Sequence, residues 1–92
     1  MEYKYRQEKD RFTLKYDSEL LGEINYSYEG NDLNLLRVFV PHNHRGKGIA
    51  DKITKWVLDF AQSNGLKIIP TCPYISHTFL IRNTDYKDII VK

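Results

Sequence analysis

Apolar and polar residues alternate through most of the first half of the chain. Arg11 to Tyr16 and Leu21 to Tyr28 both show a two-residue period, which is typical of half-buried strands, and a short polar turn follows each of them. Leu33 to Val40 is more continuously apolar, which predicts a central strand. Three such strands joined by short turns predict an antiparallel meander.

The second half of the chain changes to a helical period. From Gly48 onward, apolar residues recur at steps of three and four, and Asn64-Gly65 provides a stop, so we predict an amphipathic helix between them. Its predicted apolar face consists of Ile49, Ile53, Trp56, Val57 and Phe60. Leu66 to Ile69 is a short apolar strand, and a right-handed crossover through the helix would make it parallel to the third strand. Tyr74 to Arg82 predicts a second, shorter helix, whereas residues 86–91 fit a strand or an irregular tail equally well.

The composition is that of one ordinary globular domain. The 92 residues are 41% hydrophobic and 28% charged, which predicts a single α+β domain over residues 1–92. The net charge of +2, from dispersed basic residues, predicts no nucleic-acid partner. A polar start, one cysteine and no long apolar run predict a cytoplasmic protein with no membrane segment. The oligomeric state stays open.

The junction of the third strand with the first helix, V-F-V-P-H-N-H-R-G-K-G-I-A, carries the clearest chemistry in the sequence. Gly46 and Gly48 permit a tight turn and the close approach of a ligand. The amides of Gly46 to Ala50 are unpaired donors at the positive end of the helix dipole, and Arg45 adds a cation. We therefore predict an anion site, for a pyrophosphate. The glycine spacing matches neither G-x-x-x-x-G-K-[ST] nor G-x-G-x-x-G.

A strand ending in V-P, followed by x-x-x-R-G-K-G-I-A, a helix and K-I-I-P-T-C-P-Y-I-S-H-T-F-L-I-R-N, resembles the GNAT acetyltransferase superfamily, and most closely its small single-domain members. The resemblance covers Arg11 to Ile90. It implies a minimal GNAT-like fold, in which an antiparallel three-strand meander is followed by a crossover helix, a fourth strand parallel to the third and a short C-terminal helix. It also implies acetyl-CoA as cofactor and transfer of the acetyl group to an amine on a protein or small molecule.

The resemblance assigns residues to the cofactor. The backbone of Val38 to Val40 would hold the pantetheine arm as an added strand, and strands three and four would part near Val40. The pyrophosphate would lie on the following amides, with Arg45 and Lys47 adding positive charge, and Arg82 and Asn83 would face the other side of the cofactor or merely cap their helix. The implied cofactor-binding residues are Val38, Phe39, Val40, Arg45, Gly46, Lys47, Gly48, Ile49, Ala50, Arg82 and Asn83.

Acyl transfer to an amine also needs a route for the amine's proton. Many superfamily members carry a carboxylate on the central strand, but Leu33 to Val40 has none, and Glu23 and Glu29 are weak substitutes. Cys72 lies at the start of the second helix, where first-turn amides favour a reactive thiolate, so it could accept the acetyl group or only line the site. His77 lies about one turn farther and could reach back to it. The alternative is an inert buried cysteine and an exposed histidine without a role.

Three functions remain open at this point. Because Tyr16 to Leu21 is only a turn, the helices that roof the acceptor site in larger relatives are missing, and we expect an open acceptor groove for an N-acetyltransferase. The alternative is a CoA- or acyl-CoA-binding module with little catalysis, which the missing strand carboxylate favours. An RNA- or phosphate-binding module is disfavoured by the small net charge. The histidines and Cys72 show no metal-binding spacing, so no metal site is predicted.

Overall fold

Five strands form one sheet in the order in which they occur in the sequence. The computed structural model describes residues 2–91. The strands are β1 (Tyr3–Gln7), β2 (Arg11–Tyr16), β3 (Glu19–Glu29), β4 (Asp32–Phe39) and β5 (Lys67–Ile69). The pairs β1–β2, β2–β3 and β3–β4 are antiparallel, and β5 lies parallel to β4. This architecture confirms the α+β fold with a fourth strand parallel to the third that the sequence predicted, and adds a strand before them.

The additional strand is β1, so the antiparallel meander has four strands rather than the predicted three. Tyr3 and Tyr5 alternate with Lys4 and Arg6, which is the two-residue period that β2 and β3 also show. The Tyr5 ring stacks on Trp56 of the first helix at a centroid distance of 5.1 Å. An edge strand of this kind buries little, so its apolar signal is weak and the sequence analysis missed it.

The first helix, α1 (Ile49–Ser63), packs its apolar face on the sheet. It begins after Gly48 and its last residue is Ser63, directly before the predicted stop at Asn64-Gly65; the Asn64 Nδ2 donates to the Phe60 carbonyl at 2.8 Å. Its buried residues are Ile49, Ile53, Thr54, Val57, Leu58 and Ala61. The predicted stripe therefore has the right phase, because a helix presents residues three and four apart to the same neighbour.

Aromatic contacts join α1 to the meander. The Phe12 ring meets Trp56 and Phe60 edge-on at centroid distances of 5.8 and 5.6 Å. Trp56 itself is only partly buried, because it lies at the border of the core between Tyr5 and Phe60. Since Phe12 points toward α1, its neighbour Thr13 points to the opposite face of the sheet.

The chain after β5 is helical but irregular. Residues 73–82 form the second helical segment, close to the predicted one, and its middle, Ile75–Phe79, is π-helical. Leu80–Arg82 completes it as a turn of α-helix. A 3-10 helix, Thr84–Ile89, follows, and Ile90 then makes a single parallel bridge with Ile68. Residues 86–91 therefore contain helix and one bridge rather than the strand left open above.

Within residues 2–91, no helix combines the length and the apolar composition that crossing a membrane requires.

Candidate functional site

The two parallel strands separate soon after they pair. Asp32–Asn34 of β4 lies opposite Lys67–Ile69 of β5, and one further bond joins the Cys72 amide to the Leu35 carbonyl at 2.9 Å. In the described part of the chain, β4 continues to Phe39 without a strand on this side. Its outward-pointing backbone groups are therefore available to an extended ligand, in the way that a sheet edge accepts an added strand.

A β-bulge in the pairing of β3 with β4 lies close to the point where β4 parts from β5. Asn25 pairs with Arg37 and Tyr26 pairs with Leu35, so Leu36 is an extra residue in β4. A bulge bends the strand and increases its twist. Leu36 is 40% exposed, and the Arg37 guanidinium lies over the Phe39 ring at 5.0 Å. The bulge therefore lies just before the end of β4 that has no partner on its β5 side.

A cleft of about 360 Å³ opens where the strands part. Its walls are the end of β4, the loop after it, the start of α1 and the two ends of the second helical segment. The lining residues are Val38, Phe39, Val40, His44, Arg45, Gly46, Gly48, Ile49, Ala50, Asp51, Tyr74 and Arg82.

The loop that enters α1 is held by its own side chains. A 3-10 turn, His42–His44, follows β4, and the Arg45 Nε donates back to the Val40 carbonyl at 3.0 Å. A contact of 2.6 Å also joins His44 Nε2 to Glu19 Oε2 on β3. These contacts fix the loop against the sheet before the glycines begin, and leave the outer nitrogens of Arg45 available to a ligand.

The two glycines of the loop have left-handed backbone conformations, with φ of 81° at Gly46 and 75° at Gly48. Residues other than glycine rarely adopt these backbone angles. A Cβ placed on either residue would meet no protein atom within 4 Å, so the space above both is open. Packing within the protein would therefore tolerate a side chain at these two positions, and it is the backbone angle that favours glycine. The open space suits a ligand in contact with the main chain.

The N-terminus of α1 supplies unpaired donors to the same space. Gly48 is the N-cap and offers no capping side chain, and the Lys52 amide is the one that donates to the Gly48 carbonyl, at 3.1 Å. The amides of Ile49, Ala50 and Asp51 therefore precede the first intrahelical bond. Together with the positive end of the helix dipole, they form a site suited to an anion.

An ion pair spans the cleft. The Arg82 Nη2 lies 3.0 Å from Asp51 Oδ1 and so joins the second helical segment to the first turn of α1. Both side chains are about half exposed, so the pair contributes little to stability. Its importance is electrostatic, because Asp51 places a negative charge beside the amides and at the same time holds Arg82 over them.

Most of the predicted cofactor-binding residues lie together on this cleft. They are Val38, Phe39, Val40, Arg45, Gly46, Gly48, Ile49, Ala50 and Arg82. Lys47 lines a smaller neighbouring hollow that shares His44 and Ile49 with the cleft. The Asn83 Nδ2 donates to the Phe79 carbonyl at 2.9 Å and caps its helix, which was the structural alternative for this residue.

The structure places Cys72 and His77 outside the cleft lining. Cys72 is 4% exposed, and its carbonyl accepts the amides of Ile75 and Ser76 at 3.1 Å, so it starts the second helical segment as predicted. His77 is exposed, and no hydrogen bond joins it to Cys72 among residues 2–91. Within that range, no group of three His, Cys, Asp or Glu side chains is arranged to hold a metal ion.

Sequence reasoning missed three residues of the cleft, His44, Asp51 and Tyr74. Asp51 was predictable, since it follows the loop by a few residues and lies in the first helical turn. His44 faces the cleft because of the 3-10 turn, and the sequence carries no signal for that turn. Tyr74 reaches the cleft because residues 73–82 pack beside α1, which is a tertiary effect.

A charged cluster lies on the opposite face of the sheet. The Arg11 Nη1 donates to Glu23 Oε1 at 3.2 Å and to Oε2 at 3.4 Å, and its Nε donates to Asp10 Oδ1 at 3.1 Å. The hydrogen bond from Arg11 lowers the pKa of Asp10, and the bonds to Asp10 and Glu23 raise the pKa of Arg11. Glu23 is buried, with 8% exposure, even though it lies on the face away from α1.

Comparison with known proteins gives a consistent assignment. The family model described as GCN5-related N-acetyl-transferase matches residues 11–89. The solution structure of a GCN5-like protein from Staphylococcus aureus, assigned as an N-acetyltransferase, is 28% identical with a TM-score of 0.73, over 96% of this chain and 87% of that one. The ribosomal-protein-alanine N-acetyltransferase of Brucella melitensis biovar Abortus 2308 is 21% identical with a TM-score of 0.58, over 94% of this chain and 65% of that one. The second likeness concerns the fold alone.

Proposed function

Because the chain belongs to the GCN5-related N-acetyltransferase family, we propose that it binds acetyl-CoA in the cleft and transfers the acetyl group to a primary amine. The observation that carries this proposal is the meeting of two features in one cleft. The unpaired end of β4 leads directly to the open N-terminus of α1, across two left-handed glycines with free space above them. An extended chain ending in a pyrophosphate has this combination of needs.

The cofactor is held mainly by backbone groups. The amides of Gly46 to Ala50 would donate to the pyrophosphate, and the outer nitrogens of Arg45 and the ammonium of Lys47 would add positive charge beside it. Val38 and Val40 would hold the pantetheine arm along the edge of β4, where the described chain places no neighbouring strand on the β5 side. Arg82 closes the cleft from the second helical segment. Main-chain amides suit this task because every residue of the loop carries one, whatever its side chain, and the pyrophosphate offers an acceptor to each.

Acetyl-CoA supplies the activated acetyl group, and the protein supplies position. The amine nitrogen attacks the thioester carbonyl carbon, a C–N bond forms, the C–S bond breaks, and the leaving thiolate takes a proton. The one carboxylate on the cleft within the described residues, Asp51, is paired with Arg82. We therefore propose direct attack by an amine whose proton is lost to water in the open groove. Catalytic roles for Cys72 and His77 stay predictions.

The second candidate function is CoA or acyl-CoA binding with little catalysis. The observation in its favour is the pairing of Asp51 with Arg82 at 3.0 Å, which leaves the cleft without an unpaired carboxylate in the described chain. Both candidates use the same cleft, so mutations of the glycine loop do not separate them. A measurement of amine-dependent turnover distinguishes them.

The proposal is tested by mixing the purified protein with acetyl-CoA and a panel of primary amines, and following the release of free thiol. We expect amine-dependent release that rises with pH as more of the amine loses its proton. Calorimetric titration with CoA in the same buffer reports binding separately. CoA binding without amine-dependent release would support the second candidate, and the absence of both would contradict the assignment of the cleft.

A further inference from the structure

The hollow that adjoins the cleft at the glycine loop has a volume of about 240 Å³. It shares His44 and Ile49 with the cleft, and the start of β1, the end of β2, the start of β3 and the first turn of α1 complete its walls. Pockets that enclose a whole small ligand measure about 300–1,000 Å³. This hollow therefore suits one group of a ligand whose remainder is bound elsewhere.

Two ammonium groups give the hollow a positive charge. Lys47 and Lys52 both line it, and within residues 2–91 neither forms an ion pair with a carboxylate. The carboxylate in the lining, Glu19, contacts the His44 Nε2 at 2.6 Å. Two unpaired cations beside one engaged carboxylate favour an anionic ligand over a neutral or cationic one.

An aromatic ring holds one of these cations in place. The Lys52 Nζ lies 5.0 Å from the centroid of the Tyr3 ring, which is within the range of a cation–π interaction. The Tyr3 ring in turn contacts that of Tyr16, its register partner on β2, at a centroid distance of 4.9 Å. A lysine that is free in solvent loses rotamer entropy when it binds a ligand, and the ring contact reduces that loss.

The proposed cofactor has an anionic group that must leave the glycine loop on one side or the other. CoA continues from its pyrophosphate into the pantetheine arm at one end and into an adenosine with a 3′-phosphate at the other. Asp51 lines the cleft and repels a further phosphate there, whereas Lys52, the next residue of α1, lines the hollow. Consecutive helical residues point about 100° apart, so the two charges mark different sides of the helix N-terminus.

We propose that this hollow binds the 3′-phosphate of CoA, with the Lys52 ammonium as its main cation and the Lys47 ammonium shared with the pyrophosphate. A phosphate monoester carries a charge of about −1.5 to −2 at neutral pH and three acceptor oxygens, which match ammonium groups with three donors each. The inference rests on the proposed function, because it names the residues by which the protein distinguishes CoA from 3′-dephospho-CoA.

The experiment is a calorimetric titration of the full chain with CoA and, separately, with 3′-dephospho-CoA, which lacks this phosphate alone. We expect CoA to bind at least about fivefold more tightly at low salt, and this advantage to shrink at high salt because the lysines are exposed. Lys52→Gln should reduce the advantage at least about threefold and leave the affinity for 3′-dephospho-CoA unchanged, and Lys52→Arg should keep most of it. Equal affinities for the two ligands, or an advantage that Lys52→Gln leaves intact, would overturn the proposal.

Lys4→Gln is the matched control for overall charge. Lys4 is exposed and follows Tyr3 in β1, so its side chain points to the other face of the sheet and it does not line the hollow. The change in net charge is the same as in Lys52→Gln. We expect the advantage of CoA over 3′-dephospho-CoA to be unchanged. An equal loss in both variants would assign the effect to the net charge of the protein and contradict the hollow.

Tyr3 is a positioning residue, because it acts on the phosphate through Lys52. Tyr3→Leu removes the aromatic face and should lower the advantage of CoA at least about twofold while leaving 3′-dephospho-CoA binding unchanged. A purely structural role would weaken both ligands equally. Tyr28→Leu is the control, since Tyr28 is 49% exposed, close to the 52% of Tyr3, and does not line the hollow. Equal weakening of both ligands in Tyr3→Leu would contradict the positioning role.

The 3′-dephospho-CoA titration separates this inference from the proposed function. Equal binding of the two ligands would remove the phosphate from the hollow and keep the cofactor cleft. Absence of binding for both ligands would contradict the cleft itself. Amine-dependent thiol release from acetyl-CoA tests the transfer reaction independently of where the 3′-phosphate is held.

Discussion

Gly22 of β3 lies directly beneath Ile49, the first residue of α1: a Cβ on Gly22 would be 2.9 Å from the Ile49 Cγ2. Real Cβ atoms almost never come so close to another heavy atom, so the start of α1 reaches this depth only because β3 has no side chain here. The open N-terminus of the helix, and with it the proposed pyrophosphate site, is therefore positioned by a strand residue that does not line the cleft.

Gly22→Ala should move the start of α1 away from the sheet. Overpacking of this kind typically costs about 1–3 kcal/mol, and we expect a loss of that size in the free energy of unfolding, measured by urea titration. We also expect weaker CoA binding by calorimetry, since the amides of the first turn move with Ile49. A variant with unchanged stability and unchanged CoA affinity would show that the contact relaxes locally.

Ile49→Leu supplies the matched test, because leucine keeps the volume but has no Cγ2 branch. In a double-mutant cycle, Gly22→Ala should cost less in the Ile49→Leu background than in the parent chain. Additive effects in the two backgrounds would mean that Phe39 and Val40, the other neighbours of this Cβ, determine the cost.

Gly48→Val should abolish CoA binding for two reasons. Its φ of 75° strains a branched side chain, and that side chain fills the free space above the loop. Gly65→Val is the control, since Gly65 has a φ of 68° and equally open surroundings but follows α1 at its other end. We expect similar melting temperatures for the two variants and loss of CoA binding in the first alone. Equal CoA affinity in both would remove the pyrophosphate from this loop.

Asp51→Asn should strengthen CoA binding. The change removes a negative charge from the first turn and releases Arg82 from its 3.0 Å ion pair, so both effects favour a bound phosphate. A charge at a helix terminus is worth about 0.3–1 kcal/mol, which corresponds to an increase in affinity of about two- to fivefold at low salt. Calorimetry at two salt concentrations measures it.

Asp59→Asn has the same change in net charge on the same helix, but its partners are Lys55 and Tyr86. It should leave CoA affinity unchanged. Weaker binding in Asp51→Asn would instead mean that the ion pair itself holds the cleft in its binding shape.

Direct attack by the amine and transfer through an acetylated thiol differ in the role of Cys72. A thiol with 4% exposure that lies outside the cleft lining should react slowly with a large electrophile. We therefore expect no mass increase after incubation with acetyl-CoA alone, and Cys72→Ala should keep most of its amine-dependent thiol release. A single acetyl group on Cys72, together with loss of turnover in Cys72→Ala, would establish the covalent route instead.

The order of the elements was predictable because their signals are local. The two-residue period predicted β2 and β3, the continuous apolar run predicted β4, and the helical period with Gly48 and Asn64 predicted α1 almost to the residue. β1 escaped because Tyr3 and Tyr5 are its only apolar residues and the strand lies at an edge. The π-helical stretch Ile75–Phe79 follows from how residues 73–82 pack, for which a single sequence holds no periodic signal.

The candidate site was predictable where the backbone forms it and not where side chains do. A glycine pair before a helix specifies main-chain geometry, so the loop followed from the sequence. The burial of Cys72 and the position of Tyr74 on the cleft depend on tertiary packing.

The limited pairing of β5 with β4 has a consequence for the order of folding. Each pair in β1 to β4 joins strands that follow one another closely in the chain, so these pairs form with little loss of loop entropy. Docking of β5 instead requires α1 to fold back first, and it gains only a short ladder and the hydrogen bond from the Cys72 amide to the Leu35 carbonyl. We expect the meander to fold early and the junction that creates the cleft to close last. The Cys72 amide should then exchange with solvent faster than the amides of the β2–β3 pair, and a ligand that touches both sides of the cleft should slow it.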